Sequence, residues 1–102
     1  MCVYLFQHHT YHSKALILLG DIYINHDRNL AAAESCFQQI IAVEPEHVQA
    51  RHNLCVVHVE RGDLPGAEQC LTEVSRLAPN EQYIQQHLSI VRQRLQVLDP
   101  TY

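Results

Sequence analysis

Six residue pairs in this chain recur at one fixed offset. Asn29 and Asp63, Ala33 and Ala67, Glu34 and Glu68, Cys36 and Cys70, Phe37 and Leu71, and Pro45 and Pro79 each lie 34 positions apart. A period of that length constrains the fold more tightly than any local signal. Each repeat is then one supersecondary unit that cannot bury its apolar face alone and must stack on its neighbours.

Apolar spacing says what the unit is made of. In "KALILLGDIYINH" the apolar residues at 15, 16, 18, 19, 22 and 23 fall on a helical stripe. Asn29 can cap a second helix, "LAAAESCFQQIIAV", which Pro45 closes. "HVQARHNLCVVHVER" reads as a third helix ended by Gly62, and Asp63 caps a fourth, "LPGAEQCLTEVSRLA", with Pro65 in the tolerant first turn. Beyond Pro79, "EQYIQQHLSIVRQRLQVL" forms a fifth helix stopped by Pro100. The fold expected is all-α, with two antiparallel helical hairpins and one closing helix. Only three Gly and four Pro in 102 residues suit this better than a turn-rich sheet.

Composition removes several functions. Eleven acids against seven bases leave a net charge of −4 with no basic stripe, which argues against nucleic acid. No apolar run reaches the length of a membrane helix, and "MCVYLF" is too short for a signal segment. From the chain alone, no route into a secretory compartment is expected. Cysteines 2, 36, 55 and 70 form no CxxC pair or dense framework, which favours free thiols. Cys36 and Cys70 occupy equivalent positions in successive repeats, about 10 Å apart across packed helices, which exceeds disulfide reach.

The 34-residue unit resembles the tetratricopeptide repeat. Leu19, Gly20 and Tyr23 match its Leu-Gly…Tyr run, and Ala33, Phe37 and Pro45 its small, aromatic and proline positions. The second unit keeps Leu54, Ala67, Leu71 and Pro79 but places Cys55 at the small position and His58 at the tyrosine position. One extra residue near "NHDRN" reads as an insertion in the first hairpin's turn. The resemblance implies a short right-handed solenoid. Repeat one spans 13–46, repeat two 47–80 and a solvating cap 81–98, with tails at 1–12 and 99–102.

"HNLCVVH" invites a metal or thiol reading that the repeat disfavours. Residues i and i+6 of a helix are turned about 120° apart and separated by about 9 Å of rise, so one zinc cannot collect His52, Cys55 and His58. Cys70, on the next helix, is expected to face elsewhere. Cys55 should pack as a small hydrophobe against Ala67, so that Ala in its place costs little. A buried thiol with no helix N-terminus beside it is also a poor nucleophile. "HHTYH" at 8–12 has helical metal spacing in His8 and His12, but reads as a solvated tail. "RGD" at 61–63 reads as the turn between paired helices. No metal, cofactor or catalytic residue is expected.

In the family resembled, the inner face of each first helix holds peptide ligands. Carried over, that groove is Lys14, Ile17, Asp21 and Ile24 from the first unit, and Gln49, His52, Asn53, Val56 and Glu60 from the second. Some relatives clamp an acidic C-terminal peptide there with paired Lys, Arg and Asn. Asn53 matches one clamp position, but Ile17, Asp21 and Val56 do not, so that ligand is not expected. His52 is expected near Asp21.

"HNLCVVHVERGDLPGAEQCL" followed by "LAPNEQYIQQHLSIVRQRL" resembles, more narrowly, the C-terminal repeats of the transmembrane and tetratricopeptide-repeat proteins. The resemblance implies a protein-interaction array in the lumen of the endoplasmic reticulum. Such arrays are attached to a membrane-embedded protein O-mannosyltransferase that uses dolichyl-phosphate mannose and modifies cadherin-type domains. The catalytic residues of that family lie in its membrane part, so this chain itself is expected to be no enzyme. The alternative is a soluble cytosolic adaptor that binds peptide segments. Either way the expected partner is a protein segment in the groove, with neighbouring repeats alongside and no membrane contact.

Overall fold

The computed structural model describes residues 9–98. Helices α1 (His9–Asn25), α2 (Leu30–Val43), α3 (Val48–Glu60), α4 (Leu64–Leu77) and α5 (Gln82–Leu98) follow one another with no strand among the described residues. Each packs on the next, and α1 also touches α3. The 12/13 boundary drawn from sequence is passed through by α1, which begins at His9. His8, and the tail at 99–102, lie outside the described residues.

Local chemistry ends the helices where the sequence signals lie. Asn29 Oδ1 accepts from the Ala32 amide at 3.1 Å, and Asp63 Oδ1 from that of Gly66 at 3.0 Å. Each satisfies an amide that has no partner inside its helix. His47 does the same for α3, its Nδ1 accepting from the Ala50 amide at 3.1 Å. "RGD" is a turn: Gly62 sits at φ +80°, where a side chain is strained, and Asp63 is the next cap. In the longer first turn the left-handed position is taken by Arg28 at φ +52°. Its guanidinium binds the Ile24 carbonyl and Glu60.

Two apolar clusters hold the stack. The first gathers Ile17, Ile24, Ala33, Phe37, Ile40, Ala50 and Val57; the second gathers Cys55, Ala67, Leu71, Val74, Ile84, Leu88, Val91 and Leu95. Helix α3 belongs to both, giving Ala50 and Val57 to one and Cys55 to the other. At Gly20 the α1 backbone lies against the Phe37 ring of α2. A Cβ there would lie 2.4 Å from the Phe37 ring. In the second hairpin Leu71 replaces Phe37, and the smaller side chain leaves room for the sulfur of Cys55.

That room holds a bond the sequence reading did not anticipate. Cys55 and Cys70 form a disulfide with their Cα atoms 5.5 Å apart. The expected free thiols, and a Cys70 facing away, are therefore corrected. The helices of a hairpin touch at their small positions, and position 55 of α3 there meets position 70 of α4. Ala at position 55 would remove a cross-link. Cys36, by contrast, is a free buried thiol whose pKa burial pushes up.

Candidate functional site

The first helix of each unit shares one face of the stack, and polar contacts stitch that face across the repeats. Asn53 Nδ2 donates to Asp21 Oδ1 at 3.3 Å, joining α3 to α1. Burial raises the Asp21 carboxyl above its usual range. Arg28 Nη1 reaches Glu60 Oε1 at 2.7 Å, so Glu60 is already neutralised by its neighbour. His52 Nε2 and His87 Nδ1 lie 3.0 Å apart, one ring nitrogen donating and the other accepting, which joins α3 to α5. Tyr83 stands edge-on to His52 with ring centroids 5.1 Å apart. Burial first, and then the charge of His87, holds His52 below the ordinary imidazole range. His87 is held down by burial and then by Arg94.

The groove residues expected from sequence divide into two groups. Lys14, Gln49 and Glu60 are exposed; Asp21, His52, Asn53 and Val56 are half-buried at the surface of the face. Ile17 and Ile24 are not groove residues: they keep 8% and 5% of their exposure and belong to the first core cluster. Both turn toward Phe37 and Ala33, and Leu18, 63% exposed, presents the apolar surface on α1 instead. His52 was expected beside Asp21 but pairs with His87, while Asn53 takes the carboxylate. His58, expected to bury its ring edge, instead holds Asp63 at 3.1 Å, with 36% of its side chain exposed.

Sequence reasoning treated α5 as a solvating cap and missed its contribution. Tyr83, His87, Ile90 and Arg94 stand 34 positions after Gln49, Asn53, Val56 and Glu60. The 34-residue offset thus also marks a third layer of the face on α5. The helix is a cap on its other side, where Gln85, Ser89, Arg92 and Gln96 are exposed. No group of three or more metal-binding side chains occurs among the described residues, and no helix among them is long and apolar enough to cross a membrane.

A family model described as tetratricopeptide repeat matches residues 26–88, more than half of the chain. The chain belongs to the tetratricopeptide-repeat family. Such repeats are protein-interaction modules. Among curated proteins it is 53% identical to the protein O-mannosyl-transferase Tmtc3 of Drosophila melanogaster over 95 residues, 93% of this chain and 10% of the fly protein. It is 51% identical to protein O-mannosyl-transferase TMTC3 of Mus musculus over 84 residues, 82% of this chain and 9% of that protein. With the Homo sapiens protein of the same name it shares 47% over 91 residues, 89% of this chain and 10% of that one. These tetratricopeptide repeats therefore span about a tenth of the relatives they match.

Proposed function

We propose that these repeats serve a protein O-mannosyl-transferase in the lumen of the endoplasmic reticulum, where the α1–α3–α5 face holds acceptor proteins for a catalytic part elsewhere. Identity of 47–53% to proteins of that name carries the reading. The Cys55–Cys70 disulfide supports the compartment, because such bonds persist in oxidising lumens and are rare in the cytosol. The chain contributes recognition and no catalytic group.

The face favours a particular kind of ligand. Leu18, Val56 and Ile90 offer apolar contact, and the half-buried Asp21 adds a carboxylate. An extended or loop segment with apolar and basic side chains fits the α1–α3 half. On α5, Arg94 and His87 answer acceptor carbonyls or a carboxylate. A cadherin-type domain, with exposed strand edges and loops, has both.

Titration of the purified chain with a recombinant cadherin-type domain tests this. Asp21→Lys and Ile90→Asp should each weaken binding at least tenfold, while Gln69→Ala on the outer face leaves it unchanged. Binding lost in the Gln69 variant and kept in the other two defeats the assignment of the face. Alkylation of intact cells before lysis tests the compartment: finding Cys55 and Cys70 both blocked as thiols places the repeats in a reducing one.

A further inference from the structure

Two imidazoles from different helices meet tip to tip between α3 and α5. His52 Nε2 and His87 Nδ1 lie 3.0 Å apart, with ring centroids 5.1 Å apart and planes at 67°. With a proton on one of these nitrogens the contact is a hydrogen bond. With a proton on neither, two lone pairs face one gap. The surrounding structure holds both rings in place. The Cys55–Cys70 bond ties α3 to α4, and Ile84, Leu88 and Val91 of α5 pack in one cluster with Leu71 and Val74 of α4. Tyr83 stands edge-on to His52, its ring centroid 5.1 Å away. Side chains fixed in this way lose little freedom when they take a ligand.

We propose that His52 Nε2 and His87 Nδ1 form a two-imidazole chelate for a late first-row divalent cation of the Ni(II) or Cu(II) kind, pinning α3 to α5. The spacing selects the class of ion. With metal–nitrogen bonds of about 2.0–2.1 Å, two nitrogens 3.0 Å apart subtend about 94° at the ion. That is the near-right angle of tetragonal Ni(II) and Cu(II) sites, and imidazole suits both ions. A tetrahedral zinc needs its nitrogens about 3.3 Å apart. Loading requires a further tilt of each ring, so that both lone pairs converge on one point. It also moves one proton: the ring that now donates across the contact carries its hydrogen on its other nitrogen instead. Two neutral imidazoles enter and two remain, so no net proton is released. No third His, Cys, Asp or Glu joins the pair to make a metal cluster among the described residues. Both rings are half-buried and reach the surface, so water fills the ion's other positions and binding is reversible. Arg94, whose charge reaches His87, works against a cation, but it is exposed and solvent screens it. The proposal does not depend on what the α1–α3–α5 face binds.

The test uses NiCl2, which the free thiols do not reduce. The full chain carries Cys2→Ser, His8→Ala, His9→Ala and His12→Ala, so that the N-terminal segment cannot supply a rival site. Isothermal titration of this chain near pH 7.5 should show one nickel per chain. Nickel should also raise the midpoint of thermal unfolding, because the ion binds the folded state alone. Adding His52→Gln or His87→Gln should weaken binding at least tenfold and remove the rise, whereas His26→Gln should change neither. In carbon-edited proton spectra, nickel should broaden or shift the ring signals of His52 and His87 and leave those of His26, His47 and His58 in place. Those spectra decide the matter alone where a glutamine variant fails to fold. No binding in the four-site background, which would mean that the terminal segment holds all the metal, overturns the proposal. So does binding that survives His87→Gln, or a nickel effect centred on another histidine.

Discussion

Reducing the Cys55–Cys70 bond should destabilise the fold by about 3 kcal/mol. The bond closes a loop with a sequence separation of 15. The loop-closure relation for that length gives roughly 10 cal/mol/K of chain entropy withheld from the unfolded state, or about 3 kcal/mol at 25 °C. Little else changes in the folded state, because Cys55 is fully buried in a close-packed cluster and a thiol fills nearly the same space. At 4–8 °C per kcal/mol for a domain of this size, the midpoint of thermal unfolding should fall by about 12–24 °C on reduction. Calorimetry with and without a phosphine reductant measures it. The Cys55→Ala/Cys70→Ala double variant should melt with the reduced protein and ignore the reductant. Tryptic digestion without reduction should yield residues 52–61 joined to 62–76. An oxidised chain whose midpoint is indifferent to reductant, with the two peptides linked, would refute the entropic reasoning. Finding the peptides unlinked would refute the bond.

Gly20→Ala should cost about 1–3 kcal/mol, the range for overpacking a filled core, because its Cβ meets the Phe37 ring. Phe37→Leu should recover part of that loss in a double-mutant cycle by urea unfolding, as Leu71 makes room for Cys55. Leu71→Ala should cost about 2–5 kcal/mol, whereas Leu54→Ala should cost less, since Leu54 is only half-buried; equal losses would show the clusters are packed otherwise. Stability should fall on acidification through the His52–His87 pair. Both imidazoles titrate lower in the fold than in the unfolded chain, so their contribution is complete above about pH 6.5 and drains away as the pH falls through the folded values. A His52→Gln/His87→Gln variant should show a flatter decline in midpoint between pH 7 and 5 than the parent.

Repetition made the fold legible, and the same repetition hid its exceptions. Asn29, Asp63, Pro45 and Pro79 act through local backbone chemistry, so their positions read directly from the chain. Ile17 and Ile24 did not read correctly because an inward and an outward helical position differ by the rotation of a single residue, and only packing against Phe37 fixes that angle. The partner of His52 depends on α5, a helix read as polar padding although its Tyr83 and His87 kept the 34-residue register. The disulfide escaped because cysteines were compared between repeats. The pair that meets lies across one hairpin, at the places that Gly20 and Cys36 occupy in the first unit.

Helix α3 gives one edge to each apolar cluster, and the cross-link ties it to α4. The α3–α4 hairpin is therefore not a self-sufficient folding unit, since removing α1 and α2 uncovers Ala50 and Val57 of α3. The oxidised unfolded chain also starts with α3 and α4 already tethered near their crossing, a head start that the α1–α2 pair lacks. Order should then spread outward from the middle of the chain, with α3 as the template on which both ends condense. In a compartment where oxidation accompanies synthesis, the repeat that carries the bond sets the pace for its neighbours.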